Sequence, residues 1–129
     1  METSSQQLFD TVVSHLRQQN SKSIEYKEDG SIRYQWDGSS DKPACAYRSK
    51  DGKKCAAGAA ITDEEYRPAM EGKNIGAVIS LFNLDRLKEQ EYLLMDLQRV
   101  HDNSDVSAWE DGFRDVARKH SLNYTSPTT

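Results

Sequence analysis

The chain has 129 residues, 36% apolar and 29% charged, with a formal net charge of −4. That length suits one domain able to bury a core of its own. The charge balance speaks against a phosphate-driven nucleic-acid binder, and no apolar run reaches the length of a membrane span.

Charge is also uneven along the chain. Residues 1–60 hold nine Lys/Arg against eight Asp/Glu, and residues 61–129 hold eight against thirteen. The opening METSSQQLFDTVV has neither a basic n-region nor a long apolar stretch. The expectation is therefore a soluble cytoplasmic protein without a secretory leader, whose two cysteines are reduced.

Leu8, Phe9, Val12, Val13 and Leu16 recur at helical spacing, which predicts an amphipathic helix over residues 5–19. Ser4 or Ser5 can cap it, and Asn20-Ser21 ends it. His15 lies beside the stripe and reads as a partly buried, hydrogen-bonded histidine.

Ile24, Tyr26, Ile32, Tyr34 and Trp36 alternate with polar residues around Asp29-Gly30, which predicts a β-hairpin with its aromatic face on a core. A loop over Asp37–Pro43 follows. Cys45–Arg48 and Lys53–Ala57 flank Asp51-Gly52 and predict a second, shorter hairpin.

Gly58-Ala59-Ala60 permits close backbone approach. Thr62 and Glu65 have the spacing of a capping box, with Pro68 leaving room only for a short or kinked helix. Asn74 can cap a helix that turns Ile75, Val78, Ile79 and Phe82 inward.

Leu84–His101 is expected to be the longest helix. Ser107 and Glu110 form a second capping-box pattern before a last helix carrying Trp109, Phe113, Val116 and Ala117. Residues 1–4 and 124–129 are expected to fray. The expected architecture is α+β in one domain over 1–129: an N-terminal helix, a small antiparallel sheet of two β-hairpins, and three to four C-terminal helices.

Chemistry-bearing residues gather between Ala44 and Gly72. Cys45 and Cys55, separated by nine residues, could join His101 in a metal or small-ligand site, with zinc as the ion such a set would take and Asp102 or His120 as further donors. The same two thiols could instead pack in a core or form a disulfide. Cys45 or Cys55 with His101 and Asp102 has the residue types of nucleophilic catalysis but no local signature.

Asp63, Glu64, Glu65 and Glu71 could serve acid–base or Mg²⁺ chemistry, although a helix start already explains acidic residues there. Asp51-Gly52-Lys53-Lys54 offers a turn with lysines, without a phosphate-loop motif. Arg48, Lys50, Lys53 and Lys54 form a small basic patch just upstream of those acids. For partner binding the candidate residues are Tyr47, Arg48, Lys53, Lys54, Glu64 and Glu71.

Cys45-Ala-Tyr47-Arg48, Asp51-Gly52-Lys-Lys-Cys55-Ala56, Gly58, Ile61, Asp63-Glu64, Tyr66, Met70-Glu71-Gly72, Leu97-Gln98, His101-Asp102 and Trp109 resemble a pattern of small uncharacterised bacteriophage and bacterial proteins. The likeness spans roughly residues 44–120. It implies a lineage of short proteins acting inside a bacterium, often as accessory or anti-host factors that bind a host protein. The resulting expectation is a small non-enzymatic accessory or inhibitor protein with no cofactor, working in the cytoplasm of a bacterial host. The alternative expectation is the metal- or ligand-binding domain built on Cys45, Cys55 and His101.

Overall fold

The computed structural model describes residues 4–24, 27, 29, 31–32 and 45–126. Five α-helices follow one another among them: α1 (Ser5–Gln19), α2 (Ala56–Ala60), α3 (Ile75–Leu81), α4 (Glu91–Asn103) and α5 (Trp109–Lys119). Short 3-10 turns at Pro68–Met70, Asp85–Gln90 and Val106–Ala108 lead into or between them.

The first helix follows its sequence signals closely. The Ser4 hydroxyl accepts the Gln7 N–H at 3.1 Å, and the Gln7 side chain accepts the Ser4 N–H at 3.2 Å, closing a capping box. Asn20 ends the helix in the left-handed region, with φ 51°. Leu8, Phe9, Val12, Val13 and Leu16 are all buried, and α1 packs on α2.

Helix α4 is the centre of the molecule, in contact with α1, α2, α3 and α5. Its Leu94 and Leu97 are fully enclosed, together with Leu87 before it and Phe113 of α5. Burying a leucine of this kind stabilises by about 2 kcal/mol, so the shared core, rather than helix propensity, holds these short elements.

The α+β expectation is overturned. No strand occurs among the described residues, and the second predicted hairpin is a loop running into α2. Its turn is real: Gly52 has φ 85°, Gly52 N–H bonds Ser49 O and Ser49 N–H bonds Lys53 O. The flanking segments are not laddered because their backbone groups are taken by side chains. Glu71 accepts the N–H groups of Tyr47 and Arg48, Gln19 binds both the N–H and C=O of Lys54, and Ser23 bonds the carbonyls of Ala46 and Lys53.

Of the first predicted hairpin, the structure describes a reversal in which Lys27 N–H bonds Ser31 O, and an isolated antiparallel bridge from Ile24 to Cys45. Tyr26, Tyr34 and Trp36 lie outside the described residues.

Three further expectations are corrected. The long helix from Leu84 is split, since Asp85–Gln90 is 3-10 and α4 starts at Glu91. Ser107 and Glu110 do not form a capping box: Ala108 is the cap position of α5, with no side-chain bond, and Glu110 turns instead to Arg17 and Tyr124. Tyr124 and Thr125, expected to fray, are tied to Glu110 and Arg17. The Thr62–Glu65 box does form, but only one turn follows it before Pro68.

Candidate functional site

The residues that carry potential chemistry meet where the C-terminal end of α4 faces the chain before residue 25 and the start of α2. The loop at 45–48 must press onto α2 for this to happen, and Gly58 permits it. A Cβ at Gly58 would stand 2.1 Å from the Tyr47 carbonyl oxygen, so only glycine fits. Cys55 then caps α2, its sulfur accepting the Gly58 N–H at 3.4 Å.

His101 is the hub. It is 1% exposed, and Trp109 stacks on it at 5.6 Å between ring centres. Its Nε2 lies 3.0 Å from the backbone nitrogen of Ser23, and its Nδ1 lies 2.7 Å from Asp102 Oδ1. A backbone N–H can only donate, so Nε2 presents its lone pair to Ser23 and the ring proton on Nδ1 goes to Asp102. Asp102 Oδ1 also accepts from Gln98 Nε2 at 2.8 Å, and Gln98 Oε1 accepts the Ala57 N–H at 2.9 Å.

Serine, histidine and aspartate thus stand in a row, but not as a hydrolytic triad. The group facing the imidazole is the amide of Ser23, while its hydroxyl is turned to Ala46 O at 2.7 Å. Nothing in the row has a nucleophile on one side and a free base on the other. The network links α2, α4 and the 21–24 and 45–54 segments through buried hydrogen bonds.

A second knot surrounds Glu71. Its carboxylate accepts Tyr47 N–H at 2.9 Å, Arg48 N–H at 3.0 Å and Tyr66 O–H at 2.6 Å. Tyr47 is 4% exposed and donates its hydroxyl to Lys73 O. Burial pushes the Tyr47 and Tyr66 phenols up, and for Tyr66 the bond to Glu71 adds to it. Arg48 lies over the Tyr66 ring at 4.7 Å and pairs with Asp63 at 2.6 Å.

The six predicted binding residues are therefore divided. Tyr47 and Glu71 are structural ties, Arg48 is paired, Lys53 and Lys54 are half-buried, and Glu64 is exposed. The basic and acidic clusters neutralise each other at Arg48–Asp63, and Lys53 pairs locally with Asp51.

Cys45 and Cys55 are free thiols in side-chain contact. Contact with Cys55, followed by burial, pushes the Cys45 thiol far up. Among the described residues no group of three or more His, Cys, Asp or Glu side chains is placed to hold a metal ion. Zinc would need thiolates and a free imidazole lone pair, whereas the Nε2 lone pair of His101 is directed at Ser23 N–H. The residues present do not fit a zinc site built on Cys45, Cys55 and His101.

Sequence reasoning gave Ser23 and Gln19 no role and named Gln98 only within the resemblance. Gln98 and Asp102 sit four residues apart on one helix face, a spacing that marks a side-chain pair. Gln19 and Ser23 carried no comparable signal, since both act on backbone far away in sequence.

The outer surface offers a different kind of site. Tyr92 is 73% exposed on α4, beside a groove of about 250 Å³ lined by Tyr92, Met95, Asp96, Arg99 and Lys119. Asp96 in its floor bonds His120 Nε2 at 2.7 Å and Lys119 Nζ at 3.1 Å. No helix among the described residues is long and apolar enough to cross a membrane. A scan against protein-family models and searches of curated proteins and of solved structures found no match.

Proposed function

We propose that this is a small non-enzymatic protein that acts by occupying the surface of a partner protein. The supporting observation is Tyr92, a large aromatic left 73% exposed beside Met95 and two exposed cations. Tyrosine and arginine are the side chains that most often anchor protein interfaces. Arg99 and Lys119 over the single carboxylate of Asp96 leave local positive charge on a chain of net −4. That favours a partner offering an apolar residue flanked by carboxylates.

Within this reading, the Ala44–Gly72 segment acts mainly as scaffold, since Tyr47, Arg48 and Glu71 are held by internal bonds, although Glu64 stands exposed. The resemblance to small bacteriophage and bacterial proteins supplies the proposed setting: the cytoplasm of a bacterium, with a host protein as partner and an accessory or inhibitory role.

The test is affinity capture from the bacterial host with tagged wild type, Tyr92→Glu and Arg99→Glu. The expected result is a stoichiometric protein retained by wild type and lost by both variants, with thermal stability unchanged. Equal retention by all three proteins rules out this surface.

A further inference from the structure

The one chemically reactive pair not used in the network is Cys45 and Cys55. Cys55 is wholly buried at the cap of α2, whereas Cys45 is half-buried. Their chain segments pass within a single side chain of each other: Ser23 Oγ lies 2.7 Å from Ala46 O and 3.2 Å from Lys53 O. Cys45 packs on the core cluster that contains Cys55. It also lines a niche of about 20 Å³, with Lys22, Ser23, Ile24, His101 and Asp102 around it. A space of that size admits one water-sized molecule.

We propose that Cys45 and Cys55 are a modification site, a dithiol that a small peroxide closes to an intramolecular disulfide. The proposal stands independently of the partner surface on α4. Hydrogen peroxide, entering at the niche, takes an electron pair from the Cys45 sulfur; the O–O bond breaks, water leaves, and Cys45 becomes a sulfenic acid. The Cys55 sulfur then attacks that sulfur, forming the S–S bond and releasing a second water. Two thiols are oxidised and one peroxide is reduced to two waters.

Closure would staple the 45–48 segment to the cap of α2. It would fix the loop whose backbone amides Glu71 holds. The attacking species is the thiolate, and contact with Cys55 together with burial keeps the Cys45 thiol protonated.

The experiment treats the full chain with hydrogen peroxide at pH 7 and pH 8, quenches with an alkylating agent in denaturant, and measures the intact mass and the linked peptides. The expected product is a monomer about 2 Da lighter, with no alkylatable thiol, a Cys45–Cys55 linked peptide, and reversal by dithiothreitol. Cys45→Ser and Cys55→Ser should each remove the linkage. A monomer that keeps both thiols, a gain of oxygen on one sulfur without linkage, or a disulfide between two chains would each overturn the proposal. Because the wild-type product is decisive, the result does not depend on how well either variant folds.

Discussion

At Gly58 the absence of a side chain decides whether the loop at residues 45–48 can dock. A methyl group there would meet Tyr47 O at 2.1 Å, a backbone atom that cannot swing aside. Gly58→Ala should therefore destabilise by about 3 kcal/mol despite the better helix propensity of alanine. Urea unfolding measures this as a fall in midpoint at an unchanged slope. His101 illustrates the other residue-scale lesson. In sequence it stands next to Asp102 and in the same chain as two cysteines, which invites a catalytic or metal reading. In space both ring nitrogens are already bonded, one of them to a backbone amide that no sequence pattern announces. Purified without chelator, the protein should carry less than about a tenth of an equivalent of zinc by elemental analysis. A full equivalent would contradict the hydrogen-bonding described for His101.

At the scale of elements, the helices with a clear apolar stripe and a good cap were legible. Residues 5–19 showed both, and α1 occupies the same bounds. The last helix showed its buried face, Trp109, Phe113, Val116 and Ala117, but not its start, because Glu110 had a better partner than the cap. The second hairpin was misread for a reason that lies outside the segment: Asp51-Gly52 does turn the chain, yet Glu71, Gln19 and Ser23 supply the bonds that a partner strand would have made.

Helix α1 and helix α5 are joined by Arg17, whose guanidinium meets Glu110 at 2.9 and 2.7 Å, with the Tyr124 hydroxyl on the same carboxylate. The hydrogen bond from Arg17 is the main cause holding the Glu110 carboxyl below its ordinary value of 4.5. A depressed folded value means the clamp stabilises fully above pH 4.5 and is lost as pH falls through that value and below it. Glu110→Gln should thus be less stable than wild type at pH 7, with the gap closing as the pH is lowered towards 3. Urea midpoints across that range give the comparison.

Across the whole molecule, one core spans the described helices, and the polar networks lie at its edge where α4 meets the irregular chain. The sequence pointed to Cys45, Cys55, Glu71, His101 and Asp102 as polar or reactive groups, but not to Gln19 and Ser23, whose bonds to His101 and to the 45–54 backbone complete the network. Tyr92 lies beside, not on, the stripe of Leu87, Leu94, Leu97 and Val100, and the run of apolar neighbours Leu93, Leu94 and Met95 hides its outward position in sequence. Standing exposed on the surface, Tyr92 should tolerate change: Tyr92→Glu is expected to alter stability by no more than about 0.5 kcal/mol. A loss several times larger would place the ring in the core and remove the proposed contact surface.

The division of labour between an internally bonded scaffold and an outer contact face rests most heavily on His101. Long-range ¹H–¹⁵N correlation of the folded protein reads the protonation of each ring nitrogen directly. The expected spectrum has the proton on Nδ1 and a hydrogen-bonded lone pair on Nε2. A proton on Nε2 with Nδ1 bare, or rapid exchange between the two tautomers, would contradict the scaffold role and return His101 to the list of groups free for chemistry.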